Sequence, residues 1–269
     1  MANLSKLIRS DAISQLISGI ALLCVGLVLL AFGAIYTFEL ELFIFILPSF
    51  IGGWIFVVNG VQDFEIAKNT KLRLKDAEES TTKTTWPSRM FLQWKMNHSF
   101  HLLDMKELEY LSFIEAEKTG YDRFLSLIMG FTSMRSFLPL KQKLVDDKGN
   151  TLFYIHRKGT ILKWRSYVYD SNGKCIAIVE KPKMKNDGDL QYLDSSGVRW
   201  IANKDGIGFF TVSDVEGISK VVMKPGAIPV ESEELSKSNG ILMEWHEQTD
   251  IPYSLLVFIG CISIRYFHG

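Results

Sequence analysis

Two stretches without a single charged side chain, one between Asp11 and Glu39 and one between Glu41 and Asp63, constrain this chain more than any other feature in it. A helix that crosses a bilayer needs about 20 consecutive apolar residues. Residues 13–38 and 42–61 both meet that length. A removable signal peptide has a shorter apolar centre, and no second one follows it at once. The pair is therefore expected to remain as two membrane spans. Only residues 37–41 join them, which forces two long helices to run antiparallel as a hairpin. Gly19, Gly26 and Gly33 recur every seven residues in the first span, and Gly53 and Gly60 do so in the second. Small residues on one face let backbones approach closely in lipid, so these five glycines are read as the packing seam.

Lys6 and Arg9 precede the first span, and Lys68, Lys71, Arg73 and Lys75 follow the second. The turn between the spans carries only Glu39 and Glu41. Lysine and arginine flanks stay on the cytoplasmic side. The expected placement is the cell membrane, multi-pass, with both termini in the cytoplasm. After the hairpin (residues 1–64), residues 65–100 read as a polar juxtamembrane linker and residues 101–269 as one domain of ordinary size. Basic and acidic residues are equal, 30 of each, which argues against a general nucleic-acid binder needing surplus positive charge to displace counterions. Cys24, Cys175 and Cys261 are too scattered for a disulfide framework or a zinc site and read as buried thiols.

Within the polar part, Asp104 to Glu107 has capping-box spacing, which favours a helix start. Leu108, Tyr110, Ile114 and Ala116 also fit an alternating strand, and periodicity leaves both open. Residues 121–137 are apolar and interrupted by Gly130. From Leu138 onward four turn signals share one form: Asp146 to Gly149, Asp170 to Gly173, Asp194 to Gly197 and Asp214 to Gly217, with Asn203 to Gly206 as a fifth turn. Glycine supplies a positive φ and the Asp side chain bonds the local backbone. Strand-rich runs lie between them at 151–157, 165–169, 175–181, 198–203, 207–213 and 219–224. Short strands at regular spacing predict an antiparallel sheet, sandwich or barrel. Residues 251–264 are apolar all round and short for a span, so a helix there is expected to fill the β-domain core. The competing expectation is a third membrane segment.

The stretches 144–158 and 167–181, each a strand, an Asp-x-x-Gly turn, a second strand and a basic end, resemble the tubby C-terminal-like superfamily, which includes tubby proteins, plant LURP-one-related proteins and phospholipid scramblases. The resemblance runs from about Leu108 to the C-terminus and implies a closed β-barrel around a terminal helix at 251–267. The expected fold class is thus α+β: a transmembrane helical hairpin plus a mainly antiparallel β-barrel with a buried apolar C-terminal helix.

Charge is split within the β tract. Residues 141–185 hold eleven Lys or Arg against four Asp or Glu, and residues 186–250 hold five against twelve. Arg157, Lys158, Lys163, Arg165, Lys181, Lys183 and Lys185 are the candidate site, a basic patch that could hold anionic headgroups under a membrane leaflet. The alternative is that the two halves neutralise each other across the barrel, or that the last three lysines protect a sheet edge. His98 and His101 lack the companions of a metal site. No Gly-x-Ser-x-Gly elbow or phosphate-cradling loop occurs. Trp164, Tyr167, Tyr169 and Trp200 read as sheet and core packing. No cofactor and no catalysis are expected. The expected function is a membrane-anchored binding or scaffold protein, its partners the bilayer and either an anionic lipid headgroup or a protein. The competing expectation is a scramblase-like protein whose spans move lipid or a small solute.

Overall fold

The computed structural model describes residues 4–36, 40–69, 85–95, 99–117, 119–120, 122–123, 139–157, 164–182, 189–229, 231–248 and 251–268. The chain divides into two compact units, Met1–Lys71 and Leu72–Gly269. Residues 70–84 and 96–98 of the tract read as a linker, and nearly all of the apolar stretch 121–137, lie outside the described residues.

The first unit is a pair of helices, α1 (Leu4–Tyr36) and α2 (Leu40–Asn69). Both are long and apolar enough to cross a membrane, and only 17% and 22% of their most apolar windows are buried. That pattern is the reverse of a soluble core helix, since Ile17, Val28, Ile35, Ile44, Phe45 and Leu47 all point outward. Glycines set the closeness of the pair. A Cβ on Gly19 would stand 2.8 Å from the Gly53 carbonyl oxygen, and one on Gly53 2.9 Å from the Gly19 oxygen. One on Gly60 would stand 3.0 Å from the Ala12 oxygen, and Gly26 lies against the ring of Phe50. Gly33 is buried on α1.

The second unit is a closed barrel of twelve strands, each antiparallel to its neighbours in chain order, with the first and last also paired. The strands are β1 (Arg89–Lys95), β2 (Ser99–Asp104), β3 (Glu109–Glu115), β4 (Leu140–Asp146), β5 (Thr151–Arg157) and β6 (Arg165–Asp170), followed by β7 (Cys175–Glu180), β8 (Leu190–Asp194), β9 (Gly197–Lys204), β10 (Phe210–Asp214), β11 (Ser219–Pro225) and β12 (Gly240–Trp245). The domain therefore begins near Arg89, inside the stretch read as linker, because β1 supplies the strand that closes the ring: Phe91 pairs with Leu242 on one side and with Leu103 on the other. Closure leaves no edge to protect.

Among the described residues, five hairpins use one turn. Asp104, Asp146, Asp170, Asp205 and Asp214 each accept through Oδ1 from the backbone N–H groups two and four residues on, at 2.7–3.0 Å. The residue three on has a positive φ: Gly149, Gly173, Gly208, Gly217 and, in the first, Glu107 at 67°. The capping-box reading of Asp104 is corrected by this. Its side chain closes a β2–β3 turn, and Glu107 occupies the left-handed position that glycine fills elsewhere. The fifth expected turn is shifted by two residues, to Asp205–Gly208, because β9 continues through Lys204. Asp194 and Gly197 instead make a tighter turn between β8 and β9.

The last helix of the chain runs through the barrel. A short helix, α3 (Glu233–Ser236), precedes β12, and α4 (Tyr253–His268) follows it. Residues 255–264 of α4 are all buried. They share one core with inward residues of the strands, among them Leu92, Phe113, Ile155, Val168, Val212 and Met243. Phe258 packs edge-on against Tyr192, and Gly260 lies so close to Phe113 that any Cβ would meet that ring. Burial pushes the Cys261 thiol up, away from reactivity. Cys175 is buried too, whereas Cys24 is on the outward face of α1, unlike the buried thiol expected there.

Candidate functional site

Chain order becomes position in this barrel. Because every strand pairs with its sequence neighbour, the basic tract forms the contiguous strands β4–β7 and the acidic tract forms β8–β12. The two kinds of charge occupy different sides rather than alternating around the ring. Each side has ion pairs of its own. Arg165 Nε donates to Glu180 Oε2 at 3.0 Å within the basic side. On the acidic side Arg199 pairs with Asp194, Lys220 with Glu247 and Lys224 with Glu244.

Strand direction also brings the three described candidate residues to one end. β5 ends, β6 begins and β7 ends there, carrying Arg157, Arg165 and Lys181. Lys181 is exposed. Arg165 is buried against Glu180. Arg157 is 2% exposed and faces the barrel interior, beside Ser166 on β6. Burial pushes its guanidinium down to about 10. Lys158, Lys163, Lys183 and Lys185 lie outside the described residues. The same end receives the last turn of α4, where Arg265 lies 5.2 Å from the Trp164 ring and its positive charge suits the helix C-terminus.

Two polar clusters escape a reading of sequence alone. In the helical unit Asp63 is 1% exposed and accepts from Gln15 Nε2 at 2.9 Å, with Asn59 buried one turn before it. Their four-residue spacing, beside Gly60, was the available signal for an inward polar face. In the barrel, Asp122 is 4% exposed and lies against the outer face of the β4–β5 pair. Lys141 Nζ stands 2.8 Å from its Oδ2, His156 Nε2 3.7 Å from its Oδ1, and Thr119 donates to it through both N–H and hydroxyl. Nothing local links residue 122 to residues 141 and 156, so only the fold brings them together.

Burial alone would raise the Asp122 pKa, but His156, Lys141 and Thr119 overcome it and hold the carboxyl well below the usual carboxylate range. A depressed folded-state value means stabilisation that is full above the unfolded value of about 4 and is lost as pH falls from there toward the folded value. Asp122→Asn is expected to cost about 2 kcal/mol at neutral pH. Its urea midpoint should converge on that of the unaltered chain below about pH 4. Parallel titrations at the two pH values check this; a gap that persists in acid would contradict it.

No family model matches the chain, and no curated protein does. Among solved structures the chain is similar to an Arabidopsis thaliana protein determined by X-ray crystallography. The match is 11% identical with a TM-score of 0.44, and it covers 68% of this chain and 93% of that one.

Proposed function

We propose that this chain is a membrane-anchored binding protein: α1 and α2 cross the bilayer as a hairpin, and a tubby-like barrel on the cytoplasmic side binds anionic lipid headgroups through its basic flank. The observation that carries the reading is the segregation of charge around the ring, with the basic tract on β4–β7 and the acidic tract on β8–β12. A polarised domain tethered under an anionic leaflet is drawn to it by its basic side, at about 1 kcal/mol per lysine or arginine near the surface. Orientation rests on the lysine and arginine flanks of the two helices. The tubby-like assignment is supported by the repeated Asp-x-x-Gly hairpins and by the closed barrel around an apolar terminal helix.

The test is sedimentation of the barrel fragment, residues 85–269, with vesicles of phosphatidylcholine alone or mixed with phosphatidylserine, after circular dichroism confirms its fold. Binding is expected only to the anionic vesicles and to weaken as salt rises. Reversing Lys181, Lys183 and Lys185 to glutamate should weaken it roughly 100-fold. A folded fragment that ignores anionic vesicles would refute the lipid reading and turn the search to protein partners.

A further inference from the structure

Among the described residues of the barrel, Leu108, Ile207, Val215, Ile218 and Ile228 are exposed apolar side chains in turns and connections. Two others lie in strands: Ile114 on β3 is 37% exposed and Tyr154 on β5 is 36% exposed. The register sets them on either side of one lysine. Ile114 pairs with Lys143, Lys143 with Tyr154, and Tyr154 with Tyr169 on β6. Residues directly opposed across antiparallel strands share a face. The residues next to them in the chain, Phe113, Leu144, Ile155 and Val168, all belong to the core, so the row lies on the outer surface. An outward face ordinarily carries polar side chains. This one carries an isoleucine, a half-buried lysine and two phenol rings across four adjacent strands, about 15 Å wide. It stands on the basic side of the ring. Lys148 and Lys174, on the turns at one end of the same strands, are exposed. Asp146 and Asp170 beside them are turned onto backbone N–H groups of their own turns, which leaves Asp147 as the exposed acid there.

We infer that the row Ile114–Lys143–Tyr154–Tyr169 is the part of the basic flank that enters the bilayer surface, below the phosphates that the lysines attract. The inference rests on the lipid-headgroup reading and adds an apolar contact to it. Tyrosine settles at the boundary between headgroup and acyl chain, with its ring in the apolar layer and its hydroxyl in the wet one. Lysine lays its methylene stem along apolar surface and holds its ammonium at the phosphates. The strand pairing sets these groups side by side on one rigid surface, so they reach the leaflet together. Two contributions then differ in their response to salt. Attraction of the lysines to anionic lipid is screened, and burial of Ile114 and the two rings is not.

The full chain, labelled with 3-fluorotyrosine and held in nanodiscs of phosphatidylcholine with phosphatidylserine, gives fluorine resonances that single Tyr→Phe variants assign. A nitroxide carried on the lipid near its ester groups should broaden Tyr154 and Tyr169, and only when phosphatidylserine is present. A gadolinium chelate in the water should broaden Tyr266, which is exposed beside Phe210 on the acidic side, more than either. Tyr192, buried in the core, is the reference that neither agent reaches. Ile114→Ser combined with Tyr154→Ser keeps every charge. In the sedimentation assay it should weaken binding of residues 85–269 to anionic vesicles about tenfold, and the binding that survives high salt should vanish. If the unaltered fragment binds those vesicles while the lipid nitroxide leaves Tyr154 and Tyr169 as sharp as Tyr192, this inference alone is overturned. A double variant that binds as its parent does at every salt concentration overturns it too. No broadening together with no vesicle binding overturns the lipid-headgroup reading as well. Were the double variant unfolded by circular dichroism, the resonances of the unaltered chain would decide.

Discussion

Phe258→Asp is expected to abolish the barrel. Phe258 is fully buried at the middle of α4, edge-on to the Tyr192 ring and surrounded by strand residues. A carboxylate there has no partner and no water, which costs more than about 4 kcal/mol. Domains of this size have about 5–15 kcal/mol to lose. Residues 85–269 carrying the change should lose the near-ultraviolet circular dichroism of their packed tryptophans, whereas Phe258→Leu should fold with a midpoint lowered by about 1–2 kcal/mol. The contrast separates a core helix from a third membrane segment. A membrane helix could carry Phe258→Asp without disturbing the β spectrum, and an intact barrel in that variant would contradict the threading of α4. Gly260 makes the same point from the opposite direction, since the fit against Phe113 leaves no room even for a methyl group.

Gly53→Leu is expected to open the helical hairpin, and Gly52→Leu is not. The two glycines are neighbours with different surroundings. A Cβ on Gly53 would stand 2.9 Å from the Gly19 carbonyl oxygen and 2.8 Å from Leu23 Cγ, while one on Gly52 meets only Leu22 Cδ1 at an ordinary 3.7 Å. Backbone cannot give way as a side chain can, so the first change should cost about 1–3 kcal/mol of helix pairing. Energy transfer between dyes at the two ends of the hairpin, residues 1–71, during a titration with sodium dodecyl sulfate reads this directly. The Gly53 variant should separate at lower detergent than the parent, and the Gly52 variant should track it. Equal shifts for both would mean that bulk, rather than close backbone contact, is what matters.

What a sequence shows of this fold depends on whether the determining interaction is local. The Asp turns were legible at Asp146, Asp170 and Asp214 because carboxylate, glycine and bonded amides all lie within five residues. The first copy was left open between a helix cap and a strand because Glu107, at φ 67°, replaces the glycine that marks the others. β1 and β12 stayed hidden for a different reason. Strands are recognised by alternation, and these are buried on both faces: Phe91 and Leu242 point out of the barrel into a second apolar cluster with Leu103 and Leu235 of α3. Met-Phe-Leu and Ile-Leu-Met therefore show no period of two. The core role of α4 was readable from its all-round apolarity and short length.

The candidate patch was legible as composition and only partly as geometry. The split into basic and acidic tracts carries into the barrel because the strands follow chain order. Arg157 sits two residues after Ile155 on β5 and so shares its inward face, a parity that counting lysines and arginines ignores. Asp122 and its partners join residues distant in sequence and have no local signature.

The proposed arrangement, a bilayer-spanning hairpin with the barrel on its cytoplasmic side, can be probed by thiol labelling of intact cells with a membrane-impermeant maleimide. Background is low, because Cys175 and Cys261 are buried in the barrel and Cys24 falls within α1. Ser171→Cys, on the exposed β6–β7 turn, should react only after the membrane is opened, and Thr37→Cys, between the helices, should react before. Labelling of Ser171→Cys in unopened cells, or silence of Thr37→Cys there, would contradict that arrangement.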